Sequence, residues 1–311
     1  MIHPCCLGEI SAVAPSDSGG RVSTLRSASI SAEEKEMFSA AKEAPILAPD
    51  EAIESLVVDA ARRALESARV SGSQIDRVYG GITLGKHVEP SALYAVHRDL
   101  RLRRDTLVAP QGTSFSAFVT GLGLAAEAVR FGAAKYVLVV AGARMSTHVE
   151  PESGYAVSIA DGAGAVVVGP GDQNQIVDFA TDTESALYDA TAIDLRGPRI
   201  TFDLSPRELL ATREYGFDGP VALVRAMLAR HAIDPSNVAL VAHQASRVLM
   251  DRWKEQINPG QYIDSFDEHG NATVASIPMT LASKGHEIQK PFIVLMSPGM
   301  GMHVSCVLIR R

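Results

Sequence analysis

Apolar residues recur at helical spacing through APDEAIESLVVDAARRALESARV, from Ala48 to Val70. That pattern predicts an amphipathic helix. Pro49-Asp50 opens the stretch, so Asp50 is the expected N-cap, with acidic residues in the first turn. SGSQIDRVYGGITLG then reads as a polar turn and a strand. The same succession of helix, turn, strand and small polar loop returns in DGPVALVRAMLARHAIDPSNVALVAHQAS, Asp218 to Ser246. A second pair of phrases also matches. AAKYVLVVAGAR and QKPFIVLMSPGMG are each a lysine-containing turn, an apolar strand and a glycine-rich end. Two similar halves are therefore expected, 1–170 and 171–311, meeting near Gly169-Pro170-Gly171-Asp172. Alternation of strands and helices in each half predicts a layered α/β fold. YVLVV is apolar throughout, so both faces of that strand should be covered. The stretch Gln111 to Ala143 reads as a turn, a long small-residue helix, a short loop and this buried strand. Residues 16–50 mix Ser, Gly, Pro and charge and read as surface loops.

Composition narrows the class. The chain is 46% hydrophobic and 21% charged, a globular balance, and only 5% aromatic, so its core should be aliphatic. A net charge of −7 argues against a nucleic-acid binder. Its three cysteines, Cys5, Cys6 and Cys306, form neither a disulfide framework nor a zinc pattern. MIHPCCLGEI lacks a basic segment followed by a long apolar run, and no apolar stretch approaches the roughly 20 residues that span a bilayer. A soluble, cytoplasmic protein is expected.

Three loops carry candidate chemistry. VAHQASR, Val241 to Arg247, places His243 at the end of an apolar strand. DEHGNATVASIPMTLAS, Asp267 to Ser283, places Asn271 near the start of a small-residue helix, where free backbone N–H groups gather. SIADGAGAVVVG, Ser158 to Gly169, reads as a tight turn opening into a strand; it departs from the dinucleotide fingerprint and is taken as structural.

In this order, DGAGA, AHQAS and HGNATVASIP, together with RFGAAKYVLVVAGA, resemble the ketoacyl-ACP synthase III branch of the thiolase superfamily across nearly the whole chain. The resemblance implies a thiolase fold, five-layered α/β/α/β/α from two pseudo-repeated halves, usually as a homodimer. It implies chemistry on acyl-CoA or acyl-ACP thioesters, with no bound cofactor and no metal. In that family a cysteine at a helix N-terminus takes the acyl group. A histidine matching His243 and an asparagine matching Asn271 bind the second thioester's carbonyl and assist malonyl decarboxylation. Arg247 and the cluster HRDLRLRRD, His97 to Asp105, are candidate contacts for a carrier protein or a coenzyme A phosphate.

The chain departs from the family at the nucleophile. The family reads C-x-G-F; here the stretch is TSFSAF. Counting back from Phe118 puts Phe115 in the cysteine position, and counting forward from Gln111 puts Ser114 there. Ser116 is a third hydroxyl nearby. With Ser114, an acyl-oxyester could form, His243 serving as base. With Phe115, acyl groups would pass directly to an acceptor, or a malonyl thioester would be decarboxylated by His243 and Asn271. Such a member suits specialised, polyketide-type metabolite assembly. The alternative is a catalytically inactive thiolase-fold subunit that pairs with a cysteine-bearing paralogue. SPGMGMHVSC, Ser297 to Cys306, resembles the family's glycine-rich loop beside the active site, which makes Met300 and Met302 candidate acyl-pocket residues. His303 is an additional imidazole in that loop.

Overall fold

The structure is a computed structural model and describes residues 5–8, 10–13, 41–42, 44–87, 89–112, 114–149, 154–188, 193–194, 201–202 and 215–311. Most of the expected 16–50 loop region lies outside them. In chain order the strands are β1 (Cys5–Leu7), β2 (Ser11–Val13), β3 (Arg77–Thr83), β4 (Leu107–Pro110), β5 (Val137–Arg144), β6 (Asp161–Pro170), β7 (Gln175–Thr183), β8 (Ile193–Asp194), β9 (Thr201–Phe202), β10 (Val238–Ala242), β11 (Gln261–Tyr262), β12 (Phe292–Gly299) and β13 (His303–Arg310). The helices are α1 (Ile53–Ala68), α2 (Leu93–Asp99), α3 (Ala117–Arg130), α4 (Asp218–Arg230), α5 (Arg247–Ile257), α6 (Phe266–His269) and α7 (Ser276–Lys284).

Strand pairing displays the internal repeat. In one half β4 pairs parallel with β3, β3 parallel with β5, and β5 antiparallel with β6. In the other, β11 pairs parallel with β10, β10 parallel with β12, and β12 antiparallel with β13. The helices keep step, because α1 and α4 each precede the central strand of their half. β1 joins the halves by pairing antiparallel with both β6 and β7. This is a mixed α/β architecture built on a large central sheet, as the sequence led one to expect.

β5 and β10 are buried nearly throughout, which explains why their sequences are apolar runs rather than alternations. Two local expectations change. The first helix begins at Ile53 with Ala52 at its cap, two residues past Asp50. Glu51, not Asp50, supplies the nearby carboxylate, accepting the Ala48 N–H at 2.8 Å. DGAGA is not a turn but the first part of β6. Its glycines serve packing: a Cβ on Gly164 would sit 2.5 Å from Pro278, and one on Gly162 would overlap Met279. Both contacts belong to α7, so the missing side chains let that helix settle on the strand.

Candidate active site

The head of α3 is set by close packing. A Cβ on Gly81 of β3 would lie 2.6 Å from the Ala117 methyl, so the helix start rests almost directly on the strand. A 3-10 turn, Ser114–Ser116, leads into the helix. Ser114 adopts φ 50°, a left-handed conformation uncommon for a residue with a side chain. The Phe115 carbonyl accepts a hydrogen bond from Ser297 Oγ at 3.0 Å, tying the turn to β12.

His243 follows β10, and its backbone N–H donates to the Met296 carbonyl at 2.9 Å. The Phe115 ring stacks on its imidazole, centroids 5.4 Å apart and planes within 5°. The residue is 2% exposed, and Nδ1 has no hydrogen-bond partner. Burial lowers the imidazole pKa to about 4, against a smaller opposing effect of hydrogen bonding to the Thr273 backbone. The ring is therefore neutral at physiological pH.

Thr273 also connects Asn271 to this cluster. The Asn271 side-chain carbonyl accepts the Thr273 N–H at 2.9 Å, and its amide donates to the Ala245 carbonyl at 3.4 Å. Its backbone N–H donates to the Ser158 carbonyl at 2.7 Å, while the Ala160 N–H donates to its own carbonyl at 3.0 Å. Gly270 makes this sharp corner possible: it sits at φ 59°, and a Cβ there would lie 2.5 Å from the Ser158 carbonyl oxygen. His243, Asn271 and Phe115 thus share one buried corner. A neutral imidazole and an amide suit hydrogen bonding to an enolate-like oxygen.

Ser114 lies elsewhere. It lines a cavity of about 540 Å³ at the carboxyl ends of β3 and β4, with Thr83, Lys86, Gln111 and His148. No hydrogen bond joins it to an imidazole among the described residues. Ser116 does have one: its Oγ lies 2.6 Å from His303 Nε2. Four residues along the same helix face, Thr120 Oγ1 lies 2.9 Å from Ser305 Oγ, so α3 and β13 are joined at two successive steps. The local sequence gives no hint of the Ser116–His303 pair.

The remaining candidates are placed as follows. Met302 is 8% exposed and packs with Leu187 and Tyr215, whereas Met300 is partly exposed. Neither lines the cavity that Ser114 faces. Arg247 bonds Asp264 at 3.0 Å and Asp267 at 3.1 Å, over the Phe266 ring. In the basic cluster, Arg98 pairs with Asp99, and Arg103 with Asp76 and Asp105. Cys5 and Cys6 lie on β1 and Cys306 on β13. Burial pushes Cys5 up to about 12 and raises Cys306 further, so neither is a ready thiolate.

Comparison with known proteins decides the family. The model for 3-oxoacyl-[acyl-carrier-protein (ACP)] synthase III matches residues 112–185, and the model for its C-terminal part matches residues 228–311, together just over half of the chain. The chain belongs to the 3-oxoacyl-ACP synthase III family. A β-ketoacyl-ACP synthase III of Alkalilimnicola ehrlichii is 29% identical over 282 residues, 85% of this chain and 86% of that protein. A 3-oxopimeloyl-ACP synthase of Rhodothermus marinus is 28% identical over 287 residues, 86% of this chain and 82% of that protein. The fold is shared with the crystal structure of 3-oxoacyl-ACP synthase III from Pseudomonas aeruginosa, TM-score 0.84 at 22% identity, covering 99% of this chain and 98% of that one.

Proposed function

We propose that this family member transfers or condenses acyl groups from coenzyme A or ACP thioesters without the family's cysteine, its place at the helix head being taken by Phe115. The observation that carries this reading is the Phe115 ring stacked on His243 at 5.4 Å. An aromatic ring there can neither take an acyl group nor leave room for a thiol facing the imidazole. His243 and Asn271 remain as donors for a thioester carbonyl, which supports decarboxylation of a malonyl unit or direct transfer to a bound acceptor. Ser114, in its strained backbone conformation beside the cavity, is a hydroxyl for an oxyester route. The setting that suits such an enzyme is polyketide-type metabolite assembly in the cytoplasm, as a homodimer. Contact between Arg247 and a carrier or coenzyme phosphate would compete with Asp264 and Asp267, and the reading does not depend on it.

The same stacking favours a second reading. With His243 only 2% exposed beneath the ring, the chain suits a non-catalytic subunit paired with a cysteine-bearing paralogue. Turnover of malonyl and acyl thioesters by the purified chain, measured as carbon dioxide and free thiol release, separates the two. The enzyme reading expects turnover that is lost in His243→Ala. No turnover alone, with activity appearing only alongside a co-purifying paralogue, replaces it with the subunit reading.

A further inference from the structure

One residue beyond Phe115, the head of α3 carries a hydroxyl and an imidazole in contact. Ser116 Oγ and His303 Nε2 are 2.6 Å apart, and His303 Nδ1 lies 3.2 Å from the Met300 carbonyl oxygen. A carbonyl only accepts, so Nδ1 carries the ring proton and Nε2 presents a lone pair. The Ser116 hydroxyl therefore donates to the imidazole. That is the order of nucleophile, base and orienting group, with a main-chain carbonyl in the last role. Burial holds the His303 pKa below its ordinary value, so the base is neutral at physiological pH. Ser116 is also the N-cap of the 14-residue helix α3, whose positive end favours negative charge developing at Oγ. His243 faces a phenyl ring instead of a hydroxyl.

We infer that Ser116 is an acyl-accepting nucleophile with His303 as its general base, acting on acyl thioesters of the coenzyme A or ACP class. The inference rests on the reading of the chain as an acyl-thioester enzyme. In the step, the Ser116 proton passes to His303 Nε2 while Oγ bonds to the thioester carbonyl carbon. The C–S bond then breaks, and the departing thiolate takes the proton back from Nε2. The products are an acyl-oxyester on Ser116 and a free thiol. Transfer to an acceptor hydroxyl or amine reverses the proton movements. Ser116 has no exposed surface, whereas Gly299, Met300 and Gly301, in the turn beside His303, are partly exposed.

The test is acid-quenched intact-protein mass spectrometry of the full chain with acetyl-, butyryl- and octanoyl-CoA, then peptide mapping, with thiol release followed in parallel. A fluorophosphonate, which labels activated serines whether or not an acyl-enzyme accumulates, is used on the same variants. Wild type is expected to carry the acyl group and the fluorophosphonate at Ser116. Ser116→Ala should carry neither. His303→Asn, which retains a side-chain hydrogen-bonding group, should slow labelling on the order of 100-fold with an unchanged melting temperature. Label on Ser114, or label retained in Ser116→Ala, overturns the inference. Thiol release with no label on any serine overturns it too, while leaving turnover at His243 and Asn271 intact. No label and no thiol release with any thioester sinks both.

Discussion

Phe115 and His243 lie face to face, 5.4 Å between ring centroids and 5° between planes, at the point where a strand end meets the head of a helix. The contact fills space that a smaller side chain would leave between the helix head and the imidazole.

Phe115→Cys should therefore place a thiol toward His243, beside the positive end of α3, where a thiol's pKa falls. Incubation with acetyl-CoA is expected to add one acetyl group at position 115, absent from the parent protein. Mass spectrometry after hydroxylamine treatment, which removes thioesters, reads the result. An unreactive thiol there would mean that the ring does not stand in for the family's nucleophile.

His243 makes stability depend on acidity. Its folded pKa, about 4, lies below the ordinary imidazole value of 6.5. Between these values the unfolded chain binds the proton more readily than the folded one, so stability falls as pH drops from 6.5 towards 4. Full loss across that window is worth roughly 3 kcal/mol at about 1.4 kcal/mol per pH unit. His243→Gln removes this titration. Urea denaturation at pH 7 and pH 4.5 should show a smaller acid loss in the variant than in the parent. Equal losses would place the acid sensitivity on other groups.

Asn271 holds its own loop in place. Thr273 sits at φ 46°, and its buried N–H has Asn271 Oδ1 as acceptor. Asn271→Ala leaves that donor unpaired and should cost about 1–3 kcal/mol in chemical denaturation. Asn271→Asp keeps an acceptor for Thr273 but loses the donor to Ala245, and decarboxylation of malonyl-CoA should fall in both variants. If stability is unchanged in Asn271→Ala, Thr273 has found another acceptor.

The elements that pattern alone reveals are those whose reasons are local. An apolar, valine-rich run such as YVLVV reads as a strand with both faces covered, and β5 is one. The paired phrases around it and around FIVLM were enough to show the repeat that strand order displays. DGAGA misleads because its glycines answer to α7, more than a hundred residues later in the chain. The choice between Ser114 and Phe115 stays open in sequence because the two counts disagree by one residue. Ser114 turns left-handed at φ 50°, so a count carried forward from Gln111 does not keep helical register. The Ser116–His303 hydrogen bond spans 187 positions, a contact that only the packing of α3 on β13 brings about.

Gly123 offers a test of how the two halves are fitted together. It lies in α3, and the ring of Phe179, on β7, occupies the space where its Cβ would stand. Gly→Ala in a helix interior ordinarily gains about 1 kcal/mol from propensity. Here the methyl group would meet an aromatic ring, and overpacking of this kind costs about 1–3 kcal/mol. The steric term should win, so Gly123→Ala is expected to be less stable than the parent in urea denaturation. Phe179→Leu frees the space. In that background the same Gly123→Ala change should cost less or become stabilising, giving a coupling of about 0.5–3 kcal/mol in the double-mutant cycle. Additive effects would show that α3 moves off the ring, and that close packing between the helix and β7 does not fix its position.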